Sequence, residues 1–333
     1  MKSFKQQGIA LVTALLILTI STVVATQIFY KQQINLRRTF NQLQADQVFQ
    51  LFLSVEQWAK ILLIEDLEKN TNDTLLDIWA QEMPPIAAEG GHFQAKITDL
   101  QACFNLNNLV LAGEIQNDQI AILKNLLKQK SKQKSLNENL IWSLVDWMDA
   151  DDEPQAQGAE WETYSQFSPP YRAANQALTE IAELYAVANW DTDAITALAA
   201  DICVLPSPPA FSAVGRYFPA QTIASTLNIN TMSRELILSL SEKMQNAKLK
   251  QIIRYQQEQG FKSVQEFFDK LDEGNPQEPK LSSTLNEEIL SVNSFYFMLR
   301  YTGWIGNLEQ QYQSLLYRNS NKKIDTFYRS RFY

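Results

Sequence analysis

The sequence is poor in the residues on which most catalytic and redox sites depend. Among its 333 residues there are one histidine, His92, and two cysteines, Cys103 and Cys203. A catalytic triad or a Cys–His pair would have to use His92, which stands beside a glycine pair, a setting typical of an exposed loop or strand end. The sequence contains no Cys-x-x-Cys motif and no Gly-rich phosphate loop, which argues against a thiol redox centre, a zinc ribbon and a nucleotide site.

Positive charge is also scarce for a nucleic-acid-binding protein. The formal net charge is -8, whereas a protein that binds DNA or RNA shows a basic patch or stripe. We therefore expect no nucleic-acid partner. The length is sufficient for one large domain or two modest ones.

Charge, glycine and proline are all absent from a long amino-terminal stretch. No residue between Ile9 and Tyr30 is charged, and a helix of this length spans about 33 Å, enough to cross the ~30 Å hydrocarbon core of a membrane. Neither glycine nor proline occurs between Gly8 and Pro84. The pattern predicts one continuous helix from Ile9 to near Leu67.

The second half of this predicted helix carries one apolar stripe. Its members recur at three and four residues, as on one face of an amphipathic helix: Val48, Leu51, Phe52, Val55, Trp58, Ala59 and Leu62. The apolar first half has two interpretations. It is either a retained membrane helix or a signal peptide that is removed after Ala25, so that the mature chain begins at Thr26.

The remainder of the chain predicts a sheet interrupted by a helical region. Alternating apolar residues near Phe93 predict a strand, and the segment from Val292 to Tyr317 predicts a hairpin with its turn at Gly303–Gly306. The intervening region is helix-rich. The segments FNLNNL (104–109) and LNINTM (227–232) are either a weak internal repeat or an accidental match.

An acidic loop is the strongest candidate for a metal site. Seven acidic residues and no basic residue lie between positions 146 and 162. Counted as a twelve-residue calcium loop from Asp149, positions 3, 5 and 12 are Asp151, Glu153 and Glu160. Pro154 replaces the glycine of an EF-hand, so the EF-hand backbone itself is not expected. Hard oxygen ligands without nearby cysteine or histidine favour Ca²⁺ over zinc.

Two other interpretations of the acidic loop stay open on the residues alone. The loop is a solvated acidic surface, or two of its carboxylates are a general acid and base in a hydrolase. The second interpretation needs two carboxyl groups in a cleft with separated pKa values. Seven crowded acids on one proline-containing loop fit ion ligands better, and we expect no enzymatic activity.

A resemblance to a known family begins at the amino terminus. Gly8 followed by Ile9-Ala10-Leu11-Val12 resembles the type IV prepilin cleavage site, at which the leader is removed after glycine and the new amino terminus is N-methylated. The resemblance implies cleavage between Gly8 and Ile9 and methylation of Ile9. Most pilins have glutamate at the fifth mature position, which is Thr13 here. This departure is typical of the K-type minor pseudopilins of the type II secretion system.

Several ordered motifs extend the resemblance to the K-type minor pseudopilins over nearly the whole chain. They are ITDLQACFNLNNL, VDWMDADDEPQAQGAEWETY, PPYRAANQALTEIAEL, LNINTM and SVNSFYFMLR. The resemblance implies an α+β pseudopilin fold, with a long amino-terminal helix, a small antiparallel sheet and a large inserted α-helical domain. The implied divisions are a leader (1–8), a membrane segment (9–30), an α/β core (31–106 and 289–333) and the insert (107–288).

The same resemblance implies a structural role in protein secretion. The chain is expected to form the tip of the pseudopilus and to help initiate its assembly for export of folded proteins across the outer membrane. The implied partners are the I-type and J-type minor pseudopilins, the major pseudopilin, the prepilin peptidase and the inner-membrane assembly platform. The implied location is the inner membrane, crossed once, with the carboxyl-terminal domain in the periplasm. The alternative is a membrane-anchored or secreted calcium-stabilised binding domain unrelated to pili.

The resemblance also implies one or two calcium ions in the inserted domain. The expected ligands are Asp149, Asp151, Glu153 and Glu160, with Glu162 where the family usually has aspartate after Gly-Ala-Glu. An oxidising periplasm permits a disulfide between Cys103 and Cys203. Two cysteines do not show proximity, so two separate buried thiols remain the alternative.

Overall fold

The fold combines one very long helix, one antiparallel sheet and a helical insertion between two strands of that sheet. The computed structural model describes residues 4–88, 90–130, 136–206, 210–211, 217–218, 224–274, 280–319 and 321–332. The helix packs on the sheet, and the insertion leaves the sheet after its second strand and returns before its third. The α+β fold class predicted from the sequence is confirmed.

Helix α1 spans Phe4–Lys69 and is 66 residues long. Its apolar first half is exposed on every side, and Ile9 and Phe29 are 67% and 71% exposed. In its second half, Val48, Phe52 and Ala59 of the predicted apolar stripe are completely buried because they face the sheet. The prediction is wrong for Trp58, which is 42% exposed, and Leu63, which was not predicted, is completely buried. The two halves of one helix are therefore built for different surroundings.

The sheet has five strands: β1 Ile86–Ala88, β2 Gly91–Asp99, β11 Tyr296–Ile305, β12 Leu308–Arg318 and β13 Ile324–Phe332. They lie in the order β1-β2-β11-β12-β13, and all neighbouring strands are antiparallel. The predicted strand near Phe93 is β2, and the predicted hairpin is β11 and β12. Strand β13 was not predicted.

The position of the hairpin turn differs from the prediction. Ile305 pairs with Leu308, so the turn consists of Gly306 and Asn307, and Gly306 adopts a φ of +57°. Gly303 lies inside β11 instead. A Cβ atom at Gly303 would approach Val48 Cγ1 to 2.8 Å, so this glycine allows α1 to pack closely on the strand.

The insertion contains short helices and two-residue strands. Its helices are α2 Asn117–Lys130, α3 Asn139–Met148, α4 Trp161–Tyr164, α5 Thr192–Leu198, α6 Arg234–Ser239, α7 Asn246–Glu258 and α8 Val264–Asp272. The remaining strands are β3 Phe104–Asn105, β4 Val110–Leu111, β5 Glu114–Ile115, β6 Ile202–Cys203, β7 Ala210–Phe211, β8 Tyr217–Phe218, β9 Leu227–Asn228 and β10 Leu290–Ser291. Short 3₁₀ turns span Ile78–Ala80, Leu106–Leu109, Ile181–Ala186, Ser282–Thr284 and Glu287–Ile289.

Buried apolar residues form two large separate clusters. One lies between α1 and the sheet and includes Phe52 and Phe297. The other fills the insertion and extends in sequence from Phe104 to Val292, slightly wider than the predicted insert of 107–288. Each region therefore has a hydrophobic core of its own.

The two asparagine-rich segments have a similar local structure. Each begins with a two-residue strand in a parallel pair, β3 with β6 and β9 with β10. In each, an asparagine side chain accepts a hydrogen bond from the backbone N–H two residues later. Asn105 Oδ1 accepts from Asn107 at 3.2 Å, and Asn228 Oδ1 accepts from Asn230 at 2.9 Å. Whether the segments descend from a repeat stays a prediction.

Candidate functional site

Helix α1 provides the only candidate membrane span in the described part of the chain. From Ile9 onward the helix is long and apolar enough to cross a bilayer, with a mean hydropathy of 2.4 over its most apolar stretch. Thr13 lies within this segment, and its hydroxyl donates a hydrogen bond to the carbonyl of Ala10 at 3.0 Å. The side chain at the fifth position after Gly8 is therefore neutral and bound to its own helix. Cleavage after Gly8 and methylation of Ile9 stay predictions.

Cys103 and Cys203 form a disulfide in the structure, with an S–S distance of 2.14 Å. The two cysteines are 100 residues apart in sequence. They meet because Cys103 immediately precedes β3 and Cys203 ends β6, its parallel partner strand. The bond closes the loop that contains the acidic segment.

The acidic segment folds back on the end of helix α3. Asp146 lies in the last turn of α3, is completely buried and accepts two hydrogen bonds from the backbone N–H of Gln155 at 3.1 and 3.2 Å. A Cβ atom at Gly158 would lie 1.8 Å from Asp146 Oδ2. Glycine at this position is therefore required for the chain to return past the carboxylate. Burial raises the pKa of Asp146, and the backbone donors partly oppose this effect.

Two further carboxylates are buried beside Asp146 without hydrogen-bond donors. Asp149 is 4% exposed, and its Oδ1 atom has no partner. Glu160 is 2% exposed, and neither of its carboxylate oxygens has a partner. Burial, followed by the nearby charges of Asp151 and Asp146, raises the pKa of Asp149 to about 6. Burial and the charges of Asp146 and Asp149 raise the pKa of Glu160 to about 7.

The predicted ligands are thus divided by their exposure. Asp149 and Glu160 are buried, whereas Asp151, Glu153 and Glu162 are exposed. Asp151 Oδ1 accepts a hydrogen bond from the backbone N–H of Glu153 at 2.9 Å. Within the described residues, no three His, Cys, Asp or Glu side chains are arranged to hold a metal ion.

The chemistry of the buried oxygens nevertheless fits calcium. Unpartnered buried carboxylate oxygens are costly unless a cation or proton compensates them, and hard oxygen ligands are those that Ca²⁺ prefers. Asp149 Oδ1 and the two carboxylate oxygens of Glu160, which have no donor, would face such an ion, with the charge of Asp146 beside them. The sequence analysis did not single out Asp146, although it stands in the same DWMDAD motif as Asp149.

The segment that follows the acidic loop supports it from outside. The Asn175 side-chain amide donates to the carbonyl of Asp151 at 3.1 Å, and the Asn175 backbone N–H donates to the carbonyl of Trp147 at 3.0 Å. The Arg172 guanidinium lies 4.6 Å from the ring centre of Trp161. The PPYRAAN motif therefore positions both ends of the loop.

Comparison with known families identifies the chain. Residues 102–207 and 227–287 match two family profiles, both described as type II secretion system protein K, and together these segments cover half of the chain. The chain belongs to the type II secretion system protein K family. It is therefore a minor pseudopilin, and the hypothesis of a binding domain unrelated to pili is set aside.

Relatives of similar length support the assignment to the protein K family. Type II secretion system protein K of Pseudomonas aeruginosa is 28% identical over 327 residues, which cover 96% of this chain and 91% of the relative. Protein K of Klebsiella pneumoniae is 28% identical over 321 residues, covering 94% of this chain and 92% of the relative. The matched regions thus include the long helix and the sheet as well as the insertion.

A solved structure has the same fold. The structure of the GspK-GspI-GspJ complex from the enterotoxigenic Escherichia coli type 2 secretion system contains a chain that matches with a TM-score of 0.69 at 24% identity. The match covers 89% of this chain and 99% of that chain. At this identity the likeness shows the fold, namely the pseudopilin helix and sheet with a large helical insertion.

Proposed function

We propose that this minor pseudopilin is the tip subunit of a pseudopilus and helps to initiate its assembly. The observation that carries the proposal is Thr13. In pilins, the glutamate at this position is thought to neutralise the amino-terminal ammonium of the subunit above. An ammonium that is left unneutralised in the apolar interior of a filament costs several kcal/mol. The Thr13 hydroxyl carries no charge and is already bonded to Ala10, so this subunit does not neutralise the amine of a subunit above it.

The size of the insertion supports the same position. The buried cluster of the insertion extends from Phe104 to Val292, which is more than half of the chain. A body of this size beside α1 would obstruct the helical stacking of identical copies, whereas a terminal subunit needs no copy above it. We therefore propose a role in assembly and no catalytic activity.

The proposed partners follow from this position. The relative of known structure was solved in a complex with GspI and GspJ, and we propose the corresponding I-type and J-type minor pseudopilins as direct neighbours of this chain. The major pseudopilin would follow below them. The assembly platform of the inner membrane would bind the membrane segment, and the carboxyl-terminal domain would lie in the periplasm.

A charge introduced at Thr13 tests the tip position. We expect Thr13→Glu to enter the pseudopilus shaft or to disrupt initiation, because it restores the carboxylate that shaft subunits carry. Thr13→Ser, which keeps the hydroxyl and adds no charge, is the matched control and should behave as the wild type. The location of a labelled subunit along isolated filaments is the measurement. Wild-type label distributed along the whole filament would contradict the proposal.

Processing of the amino terminus is a separate part of the proposal. We propose that the prepilin peptidase removes residues 1–8 and that Ile9 becomes N-methylated, which leaves 9–30 as the membrane segment. The core would then comprise 31–106 and 289–333, with 107–288 inserted. Mass spectrometry of the purified protein tests the cleavage site and the methylation. A mature chain that begins at Thr26 would contradict cleavage after Gly8.

We also propose that the acidic loop binds one or two Ca²⁺ ions. The support is the pair of buried carboxylates, Asp149 and Glu160. Asp149 Oδ1 and both carboxylate oxygens of Glu160 have no donor in the described residues. The bound ion would stabilise the insertion. Such an ion would supply charge compensation and not a reaction step.

A further inference from the structure

A second cluster of carboxylates lies at the carboxyl-terminal end of α1, outside the acidic loop. Asp66 is in the last turn of the helix, and Asp73 and Asp77 lie in the loop that follows it. Asp73 is compensated, since Arg318 Nη1 lies 3.0 Å from both of its carboxylate oxygens. Asp66 and Asp77 have no Lys or Arg partner among the described residues.

Asp66 and Asp77 face the same small space. The side-chain amide nitrogen of Asn70 donates to Asp66 Oδ1 at 2.9 Å and to Asp77 Oδ1 at 3.2 Å. The two carboxylates are thus joined by a single donor group. The second oxygen of Asp77 accepts from the backbone N–H of Thr74 at 2.7 Å.

The remaining oxygen of Asp66 is buried and unpartnered. Asp66 is 9% exposed, and its Oδ2 atom has no hydrogen-bond partner. Burial, followed by the charge of Asp77, raises the pKa of Asp66 to about 6, and burial also raises the pKa of Asp77. The last carbonyl groups of α1, which form the negative end of the helix dipole, increase the negative potential at this point.

We propose that Asp66 and Asp77 bind a hard divalent cation, of which Ca²⁺ is the probe, at the carboxyl-terminal end of α1. Calcium accepts six to eight oxygens in flexible geometry, including carbonyl groups and water, so two carboxylates are an adequate protein contribution. This site shares no residue with the acidic loop. The charges that affect Asp66 are those of Asp77, Asp73 and Arg318, whereas those that affect Glu160 are Asp146, Asp149, Asp152 and Asp151.

The position suggests what the cation does. The loop after α1 is bound to both other parts of the fold: Asp73 pairs with Arg318 at the end of β12 at 3.0 Å, and the Asn72 side chain donates to the carbonyl of Phe261 in the insertion at 2.8 Å. A cation between Asp66 and Asp77 links the end of the helix to this loop. It therefore fixes the direction of α1 relative to the sheet and the insertion.

The test is a count of bound ions on the full chain in detergent, by equilibrium dialysis against radioactive calcium. The starting variant combines Asp149→Asn with Glu160→Gln, which is expected to abolish calcium binding by the acidic loop. We expect this variant to retain one ion and to lose it when Asp66→Asn is added. Glu65→Gln is the matched control, since Glu65 is exposed on the same turn and pairs with Lys69, and it should leave the count unchanged.

A second variant controls for loss of the ion through misfolding of Asp66→Asn. Asp77→Asn, at a partly exposed position, should also remove the retained ion. The inference is wrong if the loop-silenced chain binds no calcium, or if neither Asp66→Asn nor Asp77→Asn changes the count. Because the loop and the helix end are silenced separately, failure of this site and failure of the proposed calcium loop give different results.

Discussion

Two buried glutamates in this chain have opposite surroundings. Glu56, on the face of α1 that packs against the sheet, is completely buried and accepts hydrogen bonds from Arg329 at 2.7 and 2.8 Å, Ser314 at 2.6 Å and Thr326 at 2.9 Å. Burial opposes ionisation, but these donors and Lys60 outweigh it and lower the pKa of Glu56 to about 2. Glu160 in the insertion is equally buried and has no donor, and its pKa is raised to about 7.

The difference separates a structural carboxylate from a ligand carboxylate. Folding supplies Glu56 with its own counter-charge, so its ionised form belongs to the stable core. Folding brings Glu160 beside Asp146 and Asp149 without a cation from the chain itself. A buried charge left in this state destabilises the fold unless something outside the chain compensates it.

Removal of the compensated carboxylate should have the largest effect. We expect Glu56→Gln to lower the free energy of unfolding by about 3 kcal/mol, because Arg329 and two hydroxyl donors lose their charged acceptor. Chemical denaturation of the full chain in detergent is the measurement. Glu65→Gln removes an exposed ion pair on the same helix and should cost about 0.5 kcal/mol or less. If the two variants lose the same free energy of unfolding, the hydrogen bonds of Glu56 do not stabilise the core as proposed.

Calcium should affect the insertion next most strongly. Binding to the folded chain alone stabilises it by about 2.7 kcal/mol when free calcium is one hundred times Kd. We expect EDTA to lower the melting temperature correspondingly and Glu160→Gln to remove most of this response, leaving only the part that an ion at Asp66 and Asp77 contributes. A wild-type melt that does not respond to EDTA would contradict the calcium proposal, and a response as large in Glu160→Gln as in the wild type would place the stabilising ion outside the acidic loop.

A substitution at Gly158 should disturb the acidic loop without changing any charge. The Cβ atom of Gly158→Ala would lie 1.8 Å from Asp146 Oδ2, and overpacking of this kind costs about 1–3 kcal/mol. We expect weaker calcium binding, measured by titration calorimetry. Gly113→Ala is the control, because it meets open space and is strained only by a φ of +82°. If both variants bind calcium like the wild type, the close return of the chain past Asp146 has no part in the site.

Patterns confined to one element could be predicted from the sequence. The apolar stripe on α1 repeats at helical spacing, and Val48, Phe52 and Ala59 are completely buried as such a stripe requires, whereas Trp58 at its edge is 42% exposed. Strand β13 was missed because its alternation is weak: the successive residues Tyr328 and Arg329 are both partly exposed, at 45% and 42%, as is common at the edge of a sheet. Gly303 was misassigned to a turn because its role is contact with a helix distant in sequence.

Features that depend on distant contacts could not be predicted. The pairing of Cys103 with Cys203 requires β3 and β6 to be neighbours, and nothing in two isolated cysteines indicates this. The sequence showed that acids cluster between 146 and 162. It did not show which of them are buried, because burial depends on how the loop folds back on α3 and on the support that Asn175 provides.

The dependence of stability on pH offers the finest test of the two glutamates. Glu56 has a folded-state pKa of about 2, below its ordinary value of 4.5, so its contribution is present above pH 4.5 and is lost as the pH falls towards 2. Glu160 has a folded-state pKa of about 7, above its ordinary value of 4.5. Its contribution is therefore present below pH 4.5 and is lost as the pH rises through 7.

We expect the free energy of unfolding in EDTA to decline on both sides of an intermediate pH, by at most about 1.4 kcal/mol per pH unit for each proton. Glu56→Gln should flatten the acid side alone. Glu160→Gln should reduce the decline on the neutral side. The decline near pH 6 that remains comes from Asp149, Asp66 and Asp99, whose pKa values are raised by burial in the same direction. Saturating calcium should flatten the neutral side of the wild type as well, because a bound cation compensates the ionised carboxylates. A different outcome is that the free energy of unfolding of Glu160→Gln declines between pH 5 and 8 as steeply as that of the wild type. In that case the Glu160 carboxylate is either exposed or already compensated, and the contrast between the two glutamates is wrong.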